Sequence, residues 1–143
     1  MTINRCIALT LTLALASCEA SVNAGSEQNA IDRHDWLAQS IDGVAVSNPE
    51  RVTLSLANGT VSGRGGCNQY SGPVEYGNGH IKAGPLISTK MACAETGLMQ
   101  LEQKFLGALQ TASTYTVSVH PELTITTADG PLIFRASPRQ SQP

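Results

Sequence analysis

Val52-Thr53-Leu54-Ser55-Leu56-Ala57-Asn58-Gly59-Thr60-Val61-Ser62-Gly63-Arg64-Gly65-Gly66-Cys67-Asn68 is the stretch that decides the fold class. Val52, Leu54 and Leu56 alternate with Thr53 and Ser55, the period of two that marks a half-buried strand. Asn58-Gly59 follows. A type I′ turn needs positive φ at both central residues, and this dipeptide tolerates it best. Thr60 to Gly63 then starts the return strand. The glycine run that comes next would cradle a phosphate only if Lys-Ser/Thr and a helix followed it. Neither does, because the next segment reads as strand. Glycines in such a place mark a bulge, a tight bend or a close backbone approach. Asn68 stands beside the bend, where its side-chain amide can tie down the backbone.

The same alternation extends outward on both sides. Trp36 to Ile41 reads as the first strand. Asn68 to Val74 is extended, Gly77-Asn78-Gly79 turns, and His80 to Ala83 runs on toward Ile87. The period then changes: Leu98, Leu101, Phe105, Ala108, Leu109 and Ala112 recur at three- and four-residue steps, the stripe of one amphipathic helix of about four turns. Thr96 or Ala94-Glu95 marks its beginning, with Glu95 suited to the positive end of the dipole. Strands resume at Tyr115 to Val119, break at His120-Pro121, and return at Leu123 to Thr126. Asp129-Gly130 turns into Leu132-Ile133-Phe134. Strands joined by tight turns make an antiparallel sheet, and a lone helix must cover one face or plug one end. The predicted fold is α+β: a small, strongly curved, barrel-like antiparallel sheet with one amphipathic helix.

The chain has 143 residues, 41% of them hydrophobic and 14% charged, which suits a globular domain. Only 4% are aromatic, so the core must lean on Leu, Ile, Val and Ala. A net charge of −2 offers no basic patch, which argues against a nucleic-acid partner.

Location is written at the start. Arg5 precedes the apolar run Ile7 to Leu15, and Leu15-Ala16-Ser17-Cys18 follows the pattern of a bacterial lipobox. The run is too short to span a bilayer. Residues 1–17 are therefore expected to be a lipoprotein signal peptide, with Cys18 carrying the lipid and the membrane as a partner through it. The alternative is an ordinary secretory signal with an incidental cysteine. Residues 18–33 read as a lipidated flexible tether, 34–137 as the folded domain and 138–143 as a disordered tail. Glu19 in place of Asp favours the periplasmic face of the outer membrane over the inner membrane.

Cys6 leaves with the signal and Cys18 takes the lipid. Cys67 and Cys93 remain, an even pair in an oxidising compartment, and are expected to form one disulfide. Two reduced, buried thiols are the alternative. His34, His80 and His120 are far apart and lack ligand spacing, so a zinc site with Asp35 or Asp129 has little support. Glu102 is placed near the polar edge of the helix, where Lys90 or Arg64 can pair with it. Lys90 itself reads as a solvated cation and Met91 as core filling. No catalytic set, cofactor or metal site emerges, and Asn58-Gly59-Thr60, though a glycosylation sequon, is explained by its turn.

Two motifs together carry a resemblance. Gly65-Gly66-Cys67-Asn68 with Tyr70-Ser71-Gly72, then Ser88-Thr89-Lys90-Met91-Ala92-Cys93, then Glu102, Phe105 and Leu109, resemble the META domain family, also called HslJ-like. Trp36, Leu37, Ile41 and Gly43 at one end, and Tyr115, Leu123 to Ile125, Asp129-Gly130 and Leu132 to Phe134 at the other, agree with it. The likeness runs over roughly 35–135. It implies a small curved sheet wrapped on a helix, in proteins often secreted or lipidated and linked to stress tolerance, including novobiocin resistance in enteric bacteria. It implies no catalytic residues. The expected function is that of a non-enzymatic, monomeric envelope lipoprotein acting by binding or in stress and antibiotic tolerance. The alternatives are an inhibitor or pilot module that binds an envelope protein or a lipid, and a thiol-redox or hydrolytic enzyme. An apolar patch left open beside the helix would favour the binding module.

Overall fold

A computed structural model describes residues 30–138. The expected signal peptide, Cys18, most of the expected tether and residues 139–143 lie outside them. The strands are β1 (His34–Ile41), β2 (Val44–Ala45), β3 (Thr53–Ala57), β4 (Thr60–Arg64), β5 (Gln69–Gly77), β6 (His80–Ala83) and β7 (Ile87–Ser88), followed by helix α1 (Leu98–Gln110) and then β8 (Thr114–Val117), β9 (Glu122–Thr126) and β10 (Pro131–Pro138). Hydrogen bonding runs in the order β10-β9-β8-β6-β5-β4-β3-β1, and β1 pairs back onto β10. Eight antiparallel strands thus close into a barrel. β2 adds to β1, and β7 adds to β5. Closure leaves those eight strands without an open edge, which a sheet of this size would otherwise have to cover.

Turn chemistry builds the hairpins. Asn58 and Asn78 both have φ 51°, and Gly59 and Gly79 follow at 73° and 75°, the backbone of a type I′ turn. Asp42-Gly43 repeats the geometry between β1 and β2. Gly63 makes the close approach expected of the glycine run: a Cβ there would stand 2.1 Å from the Thr53 carbonyl oxygen.

The core fills the barrel with Trp36, Leu54, Leu56, Val61, Ile81, Leu123, Ile125 and Phe134. From the helix, Phe105 packs edge-on against Tyr70 (5.4 Å between centroids) and Phe134 (6.3 Å). Burial raises the Tyr70 hydroxyl well above the usual tyrosine range, and that hydroxyl donates to the Thr53 carbonyl at 2.9 Å.

Several expectations need correction. Packing begins before the boundary at residue 34: Ile31 is buried, and its carbonyl accepts from the Trp36 indole at 3.0 Å. An indole N–H inside a core needs such an acceptor, so the chain just ahead of β1 is drawn in. The strand from His80 does not reach Ile87. It stops at Ala83, Pro85 intervenes, and Ile87–Ser88 is a separate strand on β5. The strand from Tyr115 ends at Val117, because the Glu122 main chain bonds back to the Ser118 hydroxyl and N–H and closes a loop. α1 starts at Leu98, after Gly97 in the left-handed region at φ 91°. Glu95 therefore lies outside the helix and instead pairs with Arg51 at 3.0 Å.

Candidate functional site

The two sequence motifs meet at one end of the barrel, beside α1. The turn between β4 and β5 closes with the Gly65 N–H donating to the Asn68 carbonyl at 2.8 Å. That turn holds α1 at close range. A Cβ on Gly65 would stand 3.0 Å from Glu102 Cγ, and one on Gly66, whose φ is 132°, would stand 3.0 Å from the Leu98 carbonyl oxygen. Glycine is needed here because the helix backbone occupies the space a side chain would take.

Asn68 is the centre of the junction. It is buried, and it satisfies both ends of its amide. Its main-chain N–H donates to Glu102 Oε2 at 2.6 Å, and its Nδ2 donates to Glu102 Oε1 at 3.1 Å. On the opposite side, its Oδ1 accepts from the Thr89 hydroxyl at 2.9 Å and from the Met91 N–H at 2.7 Å. Next door, Cys67 and Cys93 form a disulfide with Cα atoms 5.9 Å apart. One strand turn, one helix and the irregular segment 89–97 are therefore joined by a buried carboxamide, a carboxylate and a covalent bond.

Two motif residues, Glu102 and Met91, behave differently from expectation. Glu102 is not at the polar edge paired with Lys90 or Arg64. It is only 7% exposed, and a carboxylate so placed must accept from inside the protein. Met91 does not fill the core: it is 55% exposed, because the segment is anchored by its main chain and its side chain turns outward. Lys90 is exposed beside it, as expected of a solvated cation, and so is Ala92. Gly72 serves a separate contact, since a Cβ there would meet the Pro85 carbonyl at 2.7 Å. The signal for Glu102 was present in its spacing: four residues after Leu98 and three before Phe105, it lies within the buried stripe.

Above the junction a cleft of about 580 Å³ opens between α1 and the segment 89–93. Buried Asn68 and Glu102 form its floor, Met91, Met99 and Leu106 supply apolar wall, and Lys90, Gln103 and Gln110 add polar lining. Met99 is 44% exposed, so thioethers stand half in water on both sides. Methionine is flexible and polarisable, and adapts to apolar surfaces of varied shape. The arrangement can hold an apolar segment over a rigid polar floor. The thiols are consumed in the disulfide, and among the described residues no three His, Cys, Asp or Glu side chains gather as metal ligands, His34, His80 and His120 included.

The META domain family profile matches residues 29–139. Heat shock protein HslJ from Escherichia coli (strain K12) is 25% identical over 131 residues, covering 87% of this chain and 89% of that protein. A protein from Burkholderia xenovorans solved by NMR superposes with a TM-score of 0.63 at 25% identity, covering 92% of this chain and 100% of that one. A second NMR structure gives 0.58 at 28% identity, over 73% of this chain and 89% of that one.

Proposed function

This chain belongs to the META domain family, and from that membership we propose that it is a lipid-anchored envelope protein that acts without catalysis, by binding, in tolerance of heat and antibiotic stress. A relative named as a heat shock protein supports the stress role. The Leu15-Ala16-Ser17-Cys18 pattern supports the anchor, and a disulfide suits an oxidising compartment on the far side of the inner membrane. The observation that carries the binding role is the methionine-lined cleft. It is an opening beside the helix in which Met91, Met99 and Leu106 stand among polar side chains, over a floor joined by the Asn68–Glu102 hydrogen bonds. The same cleft favours a second, narrower reading, in which the protein inhibits or pilots another envelope protein.

Growth of a deletion strain under heat and under novobiocin tests the proposal. The native chain should restore growth. Cys18→Ser should fail because the anchor is gone, and Met91→Glu with Met99→Glu should fail while still folding and anchoring. A strain whose growth is the same with and without the gene in both challenges would overturn the reading.

A further inference from the structure

The barrel has two ends, and they are occupied differently. α1 lies across one of them. Leu98 and Glu102 abut the Gly65-Gly66 turn, and Lys104 reaches Asp42 in the β1–β2 turn at 3.0 Å. The other end is where the chain enters. There His34 pairs with Pro138, and the Asn58-Gly59 turn and the loop 118–121 point the same way. Ile31 closes this end from below, and Asp32 accepts from the Tyr76 hydroxyl across the barrel. The loop 118–121 sits directly beside the entering chain, since the Ala136 N–H donates to the Pro121 carbonyl and Ala136 pairs with Trp36.

Val119 is at the tip of that loop and is 97% exposed. The loop is not loose. The Ser118 hydroxyl donates to the His120 carbonyl, and the Glu122 N–H donates to that same hydroxyl. An apolar side chain is therefore held out by its own loop rather than left there by fraying. The tips Asn58-Gly59 and Ser118-Val119-His120-Pro121 carry no acid themselves, and Arg33 is exposed at the same end, with Glu122 at the foot of the loop and Asp32 and Asp35 beside the entering chain.

Cys18 lies 12 positions ahead of Ala30, a reach of at most about 40 Å even when fully extended. A lipid on Cys18 keeps the entry end within that distance of the bilayer. We propose that the entry end of the barrel docks on the lipid surface of the anchoring membrane, with Val119 entering the headgroup region, so that α1 and its cleft face away. This rests on the lipoprotein reading above. It also places the cleft where a partner in the aqueous compartment can reach it.

The test uses the full, membrane-extracted protein in vesicles of phosphatidylethanolamine with a minority of phosphatidylglycerol. Val119→Cys and, at the helix end, Ala128→Cys are each labelled with the polarity-sensitive NBD fluorophore. Both sites are exposed, and an unchanged near-ultraviolet signal from Trp36 confirms folding. The expected result is a blue shift at position 119 and quenching by headgroup-region nitroxide lipids several-fold stronger than at 128. Equal quenching at the two positions overturns the proposal, as does a blue shift at 119 that follows protein concentration rather than lipid, the mark of a second copy. Mass spectrometry before labelling separates the premise: an unacylated Cys18 removes the anchor and the docking with it, whereas an acylated Cys18 with an unquenched 119 removes the docking alone.

Discussion

Asn68 and Glu102 stand 34 residues apart in sequence, yet the carboxylate of one accepts both the main-chain and the side-chain N–H of the other, at 2.6 and 3.1 Å. The pair couples a strand turn to the only long helix among the described residues. Hydrogen bonds to a charged group are worth more than neutral ones, and the cost of losing the acceptor is larger still, because both donors stay buried.

Glu102→Ala is expected to lower the unfolding free energy by about 3 kcal/mol, read from the urea midpoint at constant slope. Glu102→Gln keeps the shape but turns an N–H₂ toward a donor, and should cost about half as much. An alanine variant as stable as the native chain would show that the bonds contribute nothing.

The Cys67–Cys93 disulfide spans a sequence separation of 26. Replacing both cysteines by alanine should destabilise the fold by roughly 3–4 kcal/mol on the chain-entropy model. The variant should still fold, since Asn68 continues to hold Thr89 and Met91. Circular dichroism and chemical denaturation would reveal it. Loss of all native signal would mean that the covalent link, and not the amide junction, positions the segment.

Two glycines make opposite predictions. Gly63→Ala places a Cβ 2.1 Å from the Thr53 carbonyl oxygen, so the strands must part. A loss of about 2–3 kcal/mol is expected. Gly107 sits inside α1, and a Cβ added there would meet nothing within 4 Å. Gly107→Ala should therefore stabilise by about 0.5–1 kcal/mol. Melting temperatures should move down for the first and up for the second.

Burial raises the Tyr70 pKa above its ordinary value of 10.0. The sign follows from proton counting. Below pH 10 the phenol is protonated in both states, and Tyr70 adds no slope. Above it the unfolded chain loses the proton and the folded one keeps it, so stability falls as pH rises. Tyr70→Phe loses the bond to the Thr53 carbonyl, about 1 kcal/mol, but should show a shallower alkaline decline. Denaturation curves between pH 8 and 11 compare the two; parallel declines would remove Tyr70 as the cause.

Much of the architecture is legible in the sequence. The alternation around Leu54 and Leu56 predicts β3, Asn58-Gly59 and Asn78-Gly79 predict their turns, and the stripe from Leu98 to Ala112 predicts α1. Each of these signals is local. The positions that depart from expectation share the opposite property. Glu102 reads as a surface acid because its partner is on a distant turn. Met91 reads as core because apolar character does not tell whether a main-chain anchor leaves the side chain outside. Val119 continues the alternation of a strand that the Ser118 hydroxyl ends.

By itself, the sequence determined which segments extend, which turn and which coil, and that a lipobox-like pattern precedes them. Steric limits on φ and the periods of strand and helix act over a few residues, so a few residues reveal them. Only the tertiary structure decided that β1 closes on β10, that Asn68 and Glu102 meet, and that two methionines border an open cleft. Those outcomes depend on which buried polar group finds a partner across the fold, and a buried donor or acceptor can be satisfied only by the group that packing brings to it.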